Sequence, residues 1–183
     1  MQSVFVAGSR ALSKLNARVK ERLENIVKQN FTVLVGDANG ADKAVQRYLA
    51  ERRYQHVVVY CMDVCRNNVG NWPTHEEKTR PGLARDRHYY GIKDLAMAKD
   101  ASCGFMIWDG MSKGTLTNVV NLLEAQKKVL LFHSPKKHFF TLRVAGDLHH
   151  VLDASGIKNV DSFLASLQTK RAESDRPEFA FPL

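Results

Sequence analysis

Short runs of β-branched and aromatic residues alternate along this chain with longer stretches in which apolar residues recur every three or four positions. Val4 to Ala7 runs into Gly8-Ser9-Arg10, after which Leu12, Leu15, Val19, Leu23 and Ile26 form a helical stripe. Phe31 to Val35 runs into Gly36-Asp37-Ala38-Asn39-Gly40, followed by Ala41, Ala44, Val45, Tyr48 and Leu49 at helical spacing. Val57 to Cys61 reads as a third strand. A third helix from about Ala84 to Lys99 leads into a fourth strand, Gly104 to Trp108, which ends in Asp109-Gly110. A fourth helix begins near Thr115 and turns Leu116, Val119, Val120 and Leu123 inward, and Val129 to His133 is a fifth strand.

This alternation predicts parallel strands joined by crossover helices. The expected class is α/β, a Rossmann-like three-layer sandwich with a mostly parallel sheet of about five strands. Phe139 to Leu142 is a candidate edge strand, and Asp147 to Asp153 and Asp161 to Leu167 read as short helices. Met62 to Leu83 has no clean period and carries Asn67-Asn68, Gly70, Pro73 and Pro81, so it reads as a long loop of the kind that often serves function. The last dozen residues are polar apart from Phe179, Phe181 and Pro182, and are either frayed or docked through those side chains.

A chain of 183 residues suits one hydrophobic core, here assigned to residues 1–168 with a tail over 169–183. No apolar run approaches the roughly 18 residues that cross a bilayer, and Met1 to Ala7 lacks the basic start of a secretory signal, so the expected address is the cytoplasm, without a membrane partner. Cys61, Cys65 and Cys103 are an odd count and are expected as reduced thiols. Cys61 and Cys65 beside a histidine such as His75 lack the second ligand pair of a zinc site, so no metal is expected. The net charge of +8 favours anionic partners, nucleotides or nucleic acid, although pairs such as Arg52-Arg53, Lys127-Lys128 and Lys136-Lys137 also suit solvated helix ends.

Ligands of open parallel sheets sit outside the carboxyl ends of the strands, where helix amino ends aim unpaired N–H groups at an anion. Three turns here qualify. Gly8-Ser9-Arg10 offers close backbone approach, a hydroxyl and a cation. Gly36 to Asp42 offers Gly36 and Gly40, with Asp37, Asn39 and Asp42 as partners for ribose hydroxyls or base edges. Asp109-Gly110-Met111-Ser112-Lys113-Gly114-Thr115 sets hydroxyls, a lysine and glycines at a helix start, an arrangement that would cradle phosphate. Each turn alone is equally a helix cap, and the sheet is what would bring them to one edge.

Taken together with Arg85-Asp86 and Trp108-Asp109-Gly110, these motifs resemble, over about residues 2 to 133, the SLOG superfamily of Rossmann-like nucleotide sensors, which is similar to the LOG-type phosphoribohydrolases. The resemblance implies binding of a nucleotide or an ADP-ribose-like small molecule, with phosphate on the Gly114-Thr115 turn and charge from Arg10 and Arg85. It also implies self-association into a homo-oligomer and requires no cofactor. Tyr89 and Tyr90 either stack on a base or fill a helix face. The chain departs from the hydrolases where they carry a catalytic Glu three residues past the Thr: Asn118 stands there, and an amide cannot take a proton. No catalytic residue is assigned. Binding or sensing is the leading reading; N-glycosidic hydrolysis by a relocated carboxylate among Asp37, Asp42, Asp86 and Asp109 is the second, and single-stranded nucleic-acid binding the third.

Overall fold

A computed structural model describes residues 2–79 and 84–172. Its strands are β1 (Ser3–Gly8), β2 (Thr32–Gly36), β3 (Val57–Met62), β4 (Thr74–Glu77), β5 (Cys103–Trp108), β6 (Val129–His133) and β7 (His138–Leu142). They form one sheet in the order β4-β3-β2-β1-β5-β6-β7, parallel throughout except for β7, which runs antiparallel to β6. The helices are α1 (Ala17–Lys28), α2 (Ala41–Glu51), α3 (Arg87–Asp100), α4 (Lys113–Glu124), α5 (Ala145–Ala154) and α6 (Val160–Ala172). The molecule is a Rossmann-like α/β sandwich of three layers.

The two-residue period of the strands divides their side chains between two cores. Val4, Val6, Val33, Val35, Val57 and Val59 pack with Val19, Leu23, Val45 and Leu49 of α1 and α2. Phe5, Leu34, Tyr60, Met106, Trp108 and Leu131 face the other way, onto Met97 of α3, Leu116 and Val119 of α4 and Leu148 and Val151 of α5. With both faces covered, the central strands carry apolar residues at every position, which is why they read as unbroken runs rather than alternating ones.

Polar capping fixes where the helices start. The side chain of Asn16 accepts from the Arg18 N–H ahead of α1, that of Asp86 from the Tyr89 N–H in α3, and that of Ser112 from the Thr115 N–H in α4. Asp147 reaches back from the first turn of α5 to the N–H groups of Arg143 and Val144.

Two elements differ from expectation. β4 lies inside the segment read as a loop; its Thr-His-Glu-Glu sequence has no apolar face because it is an edge strand paired only with β3. Ahead of β4 the segment is tied down, with the Trp72 indole N–H donating to the Tyr54 carbonyl at 2.7 Å and Asn68 exchanging two bonds with the Trp72 backbone. α6 continues to Ala172, past the Leu167 at which the apolar pattern stops. Phe179, Phe181 and Pro182 lie outside the described residues. Among the described residues no helix is long and apolar enough to cross a membrane.

β1 sits between β2 and β5, and the chain leaves those neighbours in opposite directions across the sheet. The order therefore reverses between β1 and β5, and a crevice opens there at the carboxyl ends.

Candidate functional site at the strand carboxyl ends

Three turns meet at that crevice. The Ser9 hydroxyl after β1 donates to Asp109 Oδ2 after β5 at 2.5 Å, and the Ser9 N–H bonds the Ile107 carbonyl at 3.0 Å. The Ala41 N–H at the start of α2 donates to the Ser9 carbonyl at 3.1 Å. Gly8 is required here, since a Cβ would stand 2.5 Å from the Ile107 oxygen and 2.8 Å from the Ala41 Cβ. Gly40, at φ +84°, packs directly on the backbone of Arg10. Gly8, Ser9, Arg10, Gly40 and Asp109 are thus brought to one edge.

Asp109 is fully engaged by the protein. Its Oδ1 accepts from the N–H groups of Met111 (3.0 Å) and Ser112 (2.7 Å), while Oδ2 holds Ser9. Burial pushes its carboxyl up, but the Ser9 hydroxyl and the backbone amides outweigh that and hold it below the ordinary carboxylate range. The bonded turn sets Gly110 at φ +87° and delivers Ser112 to the cap of α4, where its Oγ receives the Thr115 hydroxyl at 3.1 Å. Lys113 and Gly114 form the first helical turn, whose N–H groups have no acceptor inside a helix. A Cβ on Gly114 would meet nothing within 4 Å, so no internal packing demands glycine at this position. Met111, 84% exposed, stands at the lip.

Next to the crevice, under the β2 turn, lies a buried ionic cluster. Asp37 is 1% exposed and is clasped by Arg66, whose N–H and Nε each donate to Oδ2 at 3.0 Å and whose Nη2 donates to Oδ1 at 2.6 Å. Lys93, 3% exposed, places Nζ 2.6 Å from Asp94 Oδ1 and 4.0 Å from Asp37 Oδ1. Asp42 Oδ2 and Lys93 Nζ fill the space where a Cβ on Gly36 would go, which explains that glycine. Asp94 also receives the Asn118 amide at 3.3 Å. Gln46 ties the cluster to the loop after β3, donating to the Gly36 and Asn67 carbonyls and accepting from the Val69 N–H. Asn67 in turn donates to the Asp37 carbonyl and to Asn39.

The charges inside the cluster follow from burial set against pairing. For Asp37, burial raises the pKa, but the Arg66 hydrogen bonds and the Lys93 charge prevail and leave it ionised. Among the described residues Asp42 accepts only from the distant Ala38 N–H, at 3.4 Å; burial, with Asp94 and Asp37 adding repulsion, pushes it up to about 7 against the pull of Lys93. Lys93 is destabilised as a cation by burial, yet the charges of Asp94 and Asp42 more than compensate and keep it protonated.

No family model, curated protein or solved structure matches this chain.

Of the remaining sequence candidates, Arg85 is exposed just ahead of α3, and its neighbour Asp86 is committed to the α3 cap. The two tyrosines separate: Tyr89 is buried with its hydroxyl on Asp63 at 2.6 Å, whereas Tyr90 is half-buried beneath the Arg66 guanidinium, 4.1 Å from the ring centroid. Arg66, Lys93 and Asp94 were missed in the sequence. Lys93 carries a usable signal: it falls four residues after Tyr89 and four before Met97, both buried, so a lysine stands in an apolar stripe. Arg66 carries none, because its segment has no period.

Proposed function

We propose that this protein binds a phosphorylated nucleoside or an ADP-ribose-like derivative, as a cytoplasmic binding or sensing domain of the SLOG kind. The phosphate lies over the first turn of α4, in reach of the Lys113 and Gly114 amides, with the positive end of the helix dipole and the Lys113 side chain adding attraction. The nucleoside extends across the crevice toward Tyr90 and Arg66. The observation that carries this reading is Gly114, in the first turn of α4 directly after the Ser112 cap: a side chain there would meet nothing within 4 Å, so the N–H groups of this turn stand open to close approach by a phosphate.

Calorimetric titration with nucleoside monophosphates and ADP-ribose tests it. The Gly114→Val protein should fold normally, because the added side chain enters open space, and should bind at least about tenfold more weakly, a loss of about 1.4 kcal/mol. Equal affinity in the folded variant removes the α4 turn from the site.

A second reading, N-glycosidic hydrolysis, is favoured by one contact. Asp37 is consumed by Arg66, Asp109 by three donors and Asp86 by the α3 cap, and Asp42 is buried, whereas the Asp94 side chain, paired with Lys93 through Oδ1, is 26% exposed and meets Asn118 through Oδ2. A carboxylate thus reaches the position that Asn118 leaves without one, where it can activate water. Release of free base from nucleoside monophosphates, abolished by Asp94→Asn with binding retained, supports hydrolysis; binding without base release excludes it.

A further inference from the structure

The seam between α3 and α4 is closed near the crevice, where the Asn118 amide donates to Asp94 at 3.3 Å. Both helices then run down to the opposite rim of the sheet, where they lead into the amino ends of β5 and β6. There the seam parts into a cleft of about 370 Å³. Each helix end lines it at positions i, i+3 and i+4: Leu95, Ala98 and Lys99 from α3, and Asn121, Glu124 and Ala125 from the end of α4. Alanine at one position on each side leaves the space. Lys127 also lines the cleft and holds its α3 wall in place, with Nζ donating to the Ala98 carbonyl at 2.8 Å and to the Lys99 carbonyl. Those bonds satisfy two carbonyls at the end of α3 and leave one of the three ammonium N–H groups for a further acceptor.

Asn121 sets the chemistry of this cleft. It is 8% exposed, and its amide makes no hydrogen bond to any described residue, unlike that of Asn118 one turn earlier in the same seam. Among the described residues the only sealed side-chain polar atom without a partner is the Trp108 indole nitrogen, so the Asn121 amide opens into the cleft. Burying an amide without a partner costs free energy that an apolar side chain of the same size would not, and a ligand able to bond both its oxygen and its NH₂ group would recover that cost.

We propose that the cleft is a second ligand site, separate from the crevice, and that it takes a planar heterocycle of the nucleobase type. An asparagine amide offers an acceptor beside a donor, which matches a ring edge carrying a donor beside an acceptor, as when Asn bonds adenine through two contacts. The ring lies against Leu95, itself 43% exposed, and against Ala98 and Ala125. The remaining Lys127 N–H takes a ring acceptor. Lys99 and Lys127 against Glu124 leave the lining mildly positive, which suits a neutral or weakly anionic ring rather than a phosphate. The volume falls within the range of roughly 300 to 1,000 Å³ usual for small-molecule sites, with the same pattern of apolar walls and few polar groups.

Titration of the isotope-labelled full chain, followed by NMR, tests this site. Adenine and uracil carry the required edge; benzoate carries a ring and a charge but no donor. Adenine or uracil should shift the Asn121 side-chain amide and the backbone amides of Lys99 and Ala125, saturating at about millimolar concentration, as expected of so small a ligand. Asn121→Leu is close in size and removes no bond within the protein, so it should fold and weaken binding at least about tenfold at Lys99 and Ala125. Ala125→Phe, at an exposed position, should fill the cleft and block the shift while Asn121 remains as reporter. The shifts should persist in Gly114→Val, which separates this cleft from the crevice. Silence of the Asn121 amide toward both heterocycles, benzoate shifts as large as those of adenine, or undiminished affinity in either folded cleft variant overturns the proposal.

Discussion

Asp42 and Asp37 lie in one buried cluster yet respond to pH in opposite senses, because only Asp37 has a strong donor. The folded-state value of Asp42, about 7, lies above the ordinary value of about 3.9, so the folded protein holds a proton that the unfolded chain has released. Its contribution to stability is complete below about pH 4 and is lost as the pH climbs toward about 7. Asp37, held below the ordinary value, stabilises above that value and loses its contribution as the pH falls. Asp42→Asn mimics the protonated form. Urea unfolding between about pH 5 and 8 should show a decline on the order of 2 to 3 kcal/mol in the unaltered protein and little in the variant. An equal decline in both would show that Asp42 titrates normally. At this scale the sequence was legible only in part. Asp37 and Asp42 stood out as chemistry-bearing, but their partners did not: Arg66 comes from an aperiodic loop 29 positions from Asp37, and the cost of burying each charge is invisible until the fold supplies the other.

At the scale of elements, the strand-to-helix junctions were the most readable feature, and the structure gives each glycine a different physical reason. Gly8 permits three backbone segments to touch, Gly36 makes room for a carboxylate and an ammonium, Gly40 adopts a positive φ, and Gly114 has no internal reason at all. These differences predict different outcomes. Gly8→Ala should destabilise the fold by roughly 1 to 3 kcal/mol, since its methyl group meets rigid backbone, whereas Gly114→Val should act on binding alone. Denaturant midpoints of the two variants separate the cases; a Gly8→Ala protein as stable as the parent would mean that the junction can relax. β4 was not readable, because an exposed edge strand of His75, Glu76 and Glu77 has neither the apolar run of a buried strand nor an apolar face. Those same charges blunt the open edge against unwanted pairing.

Across the whole molecule, the architecture was legible because every central strand is covered on both faces, which leaves a strong apolar signal, and because a crossover helix follows most of them. The site was legible as a place and not as a chemistry: which turns converge follows from the strand order, while the balance of charges beneath them depends on where α3 lands. The positive excess also takes shape only in three dimensions. Arg10, Lys113, Lys136 and Lys137 all belong to turns or helix starts at the carboxyl rim, the edge where an anion would enter.

The central place of β1 bears on how the chain is made. Its residue Val4 pairs with Val33 on one side and with Cys103 on the other, so one flank is satisfied early and the other waits for most of the polypeptide to leave the ribosome. Until β5 arrives, the row of peptide groups along that flank is open to any strand that finds it, and the crevice has only one wall. Completion of the crevice therefore waits until more than half of the chain has been made, and a product cut short before β5 would carry the Gly8 turn without the Ile107 and Asp109 partners that fix it.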